Sequence, residues 1–420
     1  MIIKTLKTLT TDYTVKVPKK NFLYYIEPQM VESTHKINIA KELKKPIASK
    51  TLSELIKPRM KVVIIADDLT RPTPQKEILP ILLEEINKAG VKDKDISIII
   101  ALGTHRYMEQ AEIVERFGKS IVERVSIANN EWKNKDIFID LGKTEKGIPV
   151  IVNRQVYEAD FVISVGVIAT HDLAGWSGGY KMIQPGVCSW DTTMETHILA
   201  GRGDLIENLA NEDNEIRKEI ESVGKKVGLD FIINVVMDSK DSMLKFVCGE
   251  PIKAHREGVK FIKPIYVRKI PELADIVITN AYPADLDYWQ GVKPLLLAQK
   301  GIKPNGTVIL IGDFPEGIAP THPEYGKFGT RSFEDIDRCY CNGEIKDSVC
   351  AGALMIHSKC IGRTKVICIS SGLSKEQKES LNFIHSETVE GALKIAFSQH
   401  GKDAKIGIIE YGGDVIPALI

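Results

Sequence analysis

Apolar and polar positions along this chain follow two periods. Short β-branched runs occur at 61–66, 96–102, 161–167, 231–236, 276–279, 308–311, 366–369 and 406–409, each closed by polar or glycine-rich residues and most followed by a helix-period segment. Runs that are apolar throughout, rather than alternating, are the pattern of parallel strands covered on both faces. After the first run, Ile78, Leu79, Leu82, Leu83 and Ile86 recur at the spacing of one helix face, with Thr73 and Pro74 as N-cap and first helical residue and Gly90 past the end. Eight runs exceed one ordinary sheet. The pattern predicts an α/β protein: two α/β domains with mostly parallel sheets and the active site in the cleft between them. Two prolines and several charges at 263–272 mark a linker, so the first domain is expected over 1–268 and the second over 269–399.

Composition narrows the class. In 420 residues Lys plus Arg is 56 and Asp plus Glu is 56, so no net field favours a nucleic acid or an anionic membrane as partner. The apolar runs fall far short of the ~20 residues of a membrane helix, and the N-terminus has no continuous apolar segment of the secretory kind. A cytoplasmic protein is expected. Seven cysteines in a long chain read as reduced thiols, and Cys339, Cys341, Cys350 and Cys360 do not have the spacing of a zinc ribbon.

Ligands of open parallel sheets bind beyond the carboxyl ends of strands, and those ends are chemically loaded here. The first run leads to Asp67, Asp68, Leu69, Thr70 and Arg71, the second to Gly103, Thr104 and His105, the third to Thr170, His171 and Asp172, and the fifth to Asn280, Ala281 and Tyr282. Arginine offers a planar fork for a carboxylate, and histidine accepts and donates protons near neutrality. One Arg with two His suggests a small carboxylate worked on from two sides, as in a racemase or epimerase. Downstream, Ser177, Gly178 and Gly179 could present amides to a phosphate, though the segment lacks the Walker spacing. Lys181 is either a solvated side chain or one that becomes attached to a carbonyl-bearing group. Thr192 and Glu195 form a potential capping box for a helix that carries His197 and ends before Gly201; that His is either a core residue or a metal ligand.

Four segments then converge on a resemblance: D-D-L-T-R-P-T-P at 67–74, G-T-H-R at 103–106, H-D-L-A-G-W-S-G-G-Y-K at 171–181 with P-G-V from Pro185, and Y-P-A-D-L-D-Y-W-Q-G-V-K at 282–293. In order and separation the chain resembles the LarA-type family of nickel-pincer lactate racemases and 2-hydroxy acid racemases. The resemblance implies nickel and a pyridinium-3-thioamide-5-thiocarboxylic acid mononucleotide attached covalently to Lys181, with His197 as the protein's nickel ligand. It implies that Asp68, Leu69, Thr70 and Arg71 line the cofactor site, and that His105 and His171 are the acid/base pair. Arg71, Gln290 and Lys293 would hold the substrate, with Trp289 beside them. It also implies that 400–420 rejoins the first domain, and that separate biosynthesis enzymes supply the cofactor as transient partners. Trp289, where lactate-acting members carry Tyr, and Tyr107, where Pro is common, add aromatic bulk and open the choice of 2-hydroxy acid, including a sugar acid as substrate of a 2-epimerase. Two rivals differ in kind. A nicotinamide dehydrogenase finds no support, because Gly201 and Gly203 follow a helix and Ile206 stands where the third small residue belongs. A carboxylate-binding protein would not need both Lys181 and His197.

Overall fold

The computed structural model describes residues 1–31, 36–238 and 241–420. All eight β-branched runs form strands, and they divide between two six-stranded sheets. The first sheet has the spatial order Met243–Gly249, Phe231–Met237, Phe161–Val167, Val62–Asp67, Ile96–Ala101, Ser126–Asn129. Its neighbours are parallel except for the edge pair Phe231–Met237 and Met243–Gly249. The second sheet, ordered Ile384–His385, Lys365–Ile369, Ile302–Ile311, Ala274–Asn280, Ile406–Ile409, Phe22–Ile26, is parallel throughout. The central strands Val62–Asp67 and Phe161–Val167 are buried at every position, which is why their sequences do not alternate.

In each sheet the strand order reverses once. The chain winds outward from Val62–Asp67 through Ile96–Ala101 to Ser126–Asn129, then returns to the other flank with Phe161–Val167. In the second sheet it winds outward from Ala274–Asn280 and returns with Ile406–Ile409. Adjacent strands at such a reversal send their following loops in opposite directions, leaving a crevice at their carboxyl ends. The two reversals position the site.

The grouping of strands differs from expectation at both ends of the chain. Phe22–Ile26, expected in the first domain, pairs with Ile406–Ile409, and Ile406–Ile409 itself lies in the second sheet rather than rejoining the first. The physical reason is local packing. A Cβ on Gly407 would lie 2.1 Å from the Tyr24 ring, so only glycine lets that ring cross the strand, and the Tyr24 hydroxyl then donates to the Gly301 carbonyl at 2.9 Å. The expected linker is also structured. The helix Pro251–Tyr266 continues through Pro264, and Val267–Ile270 pairs with Ile416–Leu419.

The helix Trp190–Arg202, which carries His197, packs on the helix Ser348–Arg363 following the second sheet's Ile302–Ile311 strand. Backbones approach closely there, because a Cβ on Gly352 would lie 2.6 Å from the His197 carbonyl oxygen. No helix among the described residues is long and apolar enough to cross a membrane. Gly352→Val is expected to cost about 1–3 kcal/mol of stability through this overlap, measured by denaturant unfolding. Gly362→Ala, in the same helix with nothing within 4 Å of the new methyl, is expected to be neutral or to stabilise by up to about 1 kcal/mol. Equal losses for the two would refute the close-contact account.

Candidate active site

The loops after Val62–Asp67, Ile96–Ala101 and Phe161–Val167 enclose a cavity of about 150 Å³ lined by Asp68, Thr70, Arg71, His105, His171, Lys181 and His197. Asp68 organises one wall. Its Oδ1 accepts from the Thr70 amide at 3.0 Å and the Thr70 hydroxyl at 2.6 Å, and its Oδ2 meets His105 Nδ1 at 2.7 Å. Burial works to raise the Asp68 carboxyl, but the contacts with His105 and Thr70 outweigh it and the net shift is downward. An anionic Asp68 keeps the proton on His105 Nδ1 and leaves Nε2 as the working nitrogen. The His105 side chain is 43% exposed, and its carbonyl accepts from Trp132 Nε1 at 2.7 Å. Asp67 faces the other way, where its carboxylate takes hydrogen bonds from Thr73, Gln75 and Arg116. Thr73 is thereby drawn from the capping role expected of it, and the helix Gln75–Lys88 starts after Pro74.

The opposite wall carries His171 and Lys181. His171 Nε2 lies 3.0 Å from Lys181 Nζ, and its Nδ1 is surrounded by the Leu173 and Ala174 amides and by Asp172 Oδ1 at 3.0 Å. Burial, reinforced by the positive charges of Lys181, Lys293 and Arg71, holds the His171 imidazole well below its usual pKa. Burial and then the charge of Arg71 bring Lys181 down to about 7. The wall therefore presents a neutral imidazole and an amine that loses its proton near neutrality, the form that attacks an acyl carbon.

His197 enters from the helix Trp190–Arg202. The cap of that helix is Ser189, not Thr192: Ser189 Oγ accepts from the Thr192 amide, and the Thr192 hydroxyl is engaged with the Ile151 backbone. The helix also runs through Gly201 to Arg202. His197 Nδ1 donates to the Thr193 carbonyl at 2.9 Å, which leaves the Nε2 lone pair for the cavity, and burial lowers its pKa. A neutral imidazole with its second nitrogen fixed by a carbonyl is the form that ligates a metal. Among the described residues no three His, Cys, Asp or Glu side chains gather into a metal cage, so a metal here would draw its other ligands from a bound group. The residues fit an acyl-tethered cofactor that brings its own metal donors. All seven cysteines are free.

The support beneath this wall was not legible in the sequence. Arg217, fully buried on the helix Glu215–Val227, donates to the carbonyls of Ala174 and Gly178 at 3.3 Å each and to that of Trp176. Burial lowers its pKa to about 10, still cationic at neutrality. His255 Nε2 donates to the Ser177 carbonyl at 2.8 Å. The amides expected to cradle a phosphate are in part already taken: Ser177 N bonds the Ala169 carbonyl at 2.8 Å and Gly179 N bonds Asn234 Oδ1 at 2.9 Å. Arg217 stands among Lys and Glu residues on its helix, whose Asn214 cap accepts from the Arg217 amide.

A second cavity, of about 340 Å³, adjoins the first through Thr70 and Arg71 and is lined also by Thr170, Tyr282, Lys293 and Asp414. It lies between the reversal points of the two sheets. Neither Arg71 nor Lys293 forms an ion pair with any described carboxylate. Of the other expected residues, Leu69 is 41% exposed and lines neither cavity. Gln290 and Trp289 also lie outside both linings: the Gln290 amide caps its helix against Asp287, and Trp289 stacks on His322 with ring centroids 3.9 Å apart. Tyr107 packs edge-on to Trp132.

Family models for the lactate racemase N-terminal domain and the lactate racemase C-terminal domain match residues 10–204 and 269–417. The chain belongs to the lactate racemase family. It is 29% identical over 401 residues to a lactate racemase of Thermoanaerobacterium thermosaccharolyticum, covering 91% of this chain and 92% of that one. It is 28% identical over 422 residues to a lactate racemase of Lactiplantibacillus plantarum, covering 96% of each. The fold matches the solved lactate racemase apoprotein of Thermoanaerobacterium thermosaccharolyticum with a TM-score of 0.90 at 26% identity, over 99% of this chain and 100% of that one. A Thermotoga maritima protein shares the fold at a TM-score of 0.70 and 20% identity, over 91% of this chain and 97% of that one.

Membership makes this chain an isomerase of the racemase class, and two expectations test how its lactate racemase scaffold holds the site. In protein free of cofactor, acylation of Lys181 followed by peptide mapping against pH is expected to show a midpoint near 7; a midpoint at the ordinary 10.5 would refute the buried-amine account. Arg217→Met leaves three carbonyls without their donor and is expected to cost about 3 kcal/mol or more in denaturant unfolding. In a folded fraction of that variant the Lys181 midpoint is expected to rise, because water reaches the loop and a neighbouring cation is gone.

Proposed function

We propose that this racemase-family chain inverts the 2-hydroxy carbon of a small 2-hydroxy carboxylate, lactate or a relative, with a nickel-pincer mononucleotide attached to Lys181. The observation that carries the reading is the pairing of Arg71 and Lys293, two cations without a carboxylate partner, beside two imidazoles suited to moving a proton. Arg71 offers the fork for the substrate carboxylate, and Lys293 a point charge from the facing sheet. His105 and His171 approach from different loops, so one takes the hydroxyl proton of one enantiomer and the other that of its mirror image. Asp68 behind His105 and Asp172 behind His171 stabilise whichever imidazole becomes charged. Removing the Cα hydrogen as a proton would place a second negative charge beside the carboxylate, which imidazole bases are too weak to drive. When bound, the nickel-pincer group supplies a hydride acceptor for that hydrogen. His197 Nε2 would hold its nickel, and Lys181, once acylated, no longer adds a positive charge beside His171. Separate enzymes would have to make and load the group. The seven free thiols support a reducing, cytoplasmic setting.

The test is chiral chromatography of single 2-hydroxy acid enantiomers incubated with protein produced alongside cofactor-making enzymes and assayed for nickel. Inversion is expected, with Cα deuterium kept in the product. His105→Ala and His171→Ala should each lower kcat about 10²- to 10⁴-fold, and His197→Ala should lose nickel. Exchange of Cα deuterium with solvent at the rate of inversion would overturn the hydride reading.

A further inference from the structure

The segment that follows Ser126–Asn129 lines no part of the first cavity, yet it grips the loop that carries His105 at several points. Trp132 Nε1 donates to the His105 carbonyl at 2.7 Å, and the Lys133 amide donates to the Tyr107 hydroxyl at 3.0 Å. Asn129 exchanges two hydrogen bonds with the Met108 backbone, at 3.1 and 2.9 Å. The His105 ring itself has Asp68 alone as hydrogen-bond partner among the described residues. The indole of Trp132 is fixed in its turn. Trp190 stacks on it with ring centroids 5.4 Å apart and planes 24° from parallel, Tyr107 meets it edge-on at 6.3 Å, and the Lys133 ammonium lies over it at 5.0 Å. The ring is thus occupied by the protein itself and is not an open platform for an aromatic ligand. Beside the stack, Asn130 accepts from Asn153 Nδ2 at 3.0 Å and donates to the Cys188 carbonyl at 3.3 Å, both bonds buried. Trp190 is the first residue of the helix Trp190–Arg202, about two turns before His197. Trp132 therefore joins two parts of the site: its N–H fixes the main chain of His105, and its ring leans on the start of the helix that carries His197.

We infer that Trp132, backed by Trp190, is a positioning residue that holds the His105 imidazole against Asp68 through its hydrogen bond to the His105 carbonyl. This inference rests on the role proposed above for His105 and deepens it. A proton passes only between heavy atoms about 2.6–3.2 Å apart, so a loop free to drift leaves the imidazole out of reach for part of the time. Such drift lowers kcat without loosening the grip on the substrate carboxylate, which is made by other residues.

The experiment compares the wild type with Trp132→Phe, which keeps an aromatic ring against Trp190 but removes the donor, and with Trp190→Phe, which keeps the donor on a smaller backing. In cofactor-free protein, amide hydrogen exchange over 102–108 is expected to quicken about 2- to 10-fold in Trp132→Phe, the effect of one lost hydrogen bond, while 171–181 is unchanged. In the nickel-loaded enzyme the same variant should lower kcat about 2- to 10-fold, with KM within about 2-fold and nickel retained. Its solvent-deuterium isotope effect on kcat should grow and its Cα-deuterium effect shrink, because the proton step has become the slower one; a role in fold support alone would move neither. Trp190→Phe should show the same changes at smaller size, and serves as the test if Trp132→Phe fails to fold. An unchanged kcat, unchanged isotope effects, or exchange that quickens equally along the whole chain would overturn the inference. Should the nickel-loaded wild type invert no 2-hydroxy acid, the proposed reaction falls, and hydrogen exchange alone decides Trp132: quickening confined to 102–108 upholds its hold on His105, and unchanged exchange removes it.

Discussion

The site depends on one buried cation. Arg217 reaches under the loop from Ala174 to Gly178 and satisfies three of its carbonyls from a position closed to solvent. Backbone turned inward in this way would otherwise leave acceptors unpaired, at about 1–3 kcal/mol each. With the guanidinium in place the loop turns sharply enough to set His171 at its start and Lys181 just past its end within 3.0 Å of each other. The same positive charge adds to the field that lowers the pKa of both groups. Structure and reactivity at this wall thus have a common origin.

Two reversals of strand order face one another across the second cavity, and this explains the division of labour. The first sheet contributes the groups suited to proton movement and cofactor attachment, His105, His171, Lys181 and Arg71. The second contributes Lys293 and Asp414, one of each charge, from the helix and loop at its own reversal. A small ligand can then be held from opposite sides without either sheet being distorted.

His197 links the two halves. Its helix belongs to the first sheet's side of the molecule, yet its backbone is pressed against Gly352 on a helix of the second. The Nδ1 bond to Thr193 sets the tautomer, and the glycine contact sets the depth at which the imidazole enters the cavity. A side chain placed this way is sensitive to changes far from the cavity, because close-packed backbones transmit small shifts.

Strand content was legible because fully buried parallel strands have an unambiguous apolar signature, and all eight runs became strands. The loaded segments after them carried Asp68, Arg71, His105 and His171 in plain view, since ligand chemistry gathers where strands end. Pairing partners were not legible. Phe22–Ile26 and Ile406–Ile409 are as apolar as strands of either sheet, and it took Tyr24 crossing Gly407 to join them. Capping was misplaced for a similar reason: Thr73 and Thr192 both suit a helix start, but tertiary partners at Asp67 and Ile151 claimed their hydroxyls. Arg217 had no local signal, and Asp414, though it stands beyond the end of the 406–409 run, had none that placed it at this cavity. The sequence by itself determined eight of the twelve strands of the two large sheets and the chemistry that lies at their ends, because both follow from short-range pattern. Which cation is buried and which two loops share a cavity were decided only by tertiary structure, because burial and charge are properties of what surrounds a residue and not of the residue itself.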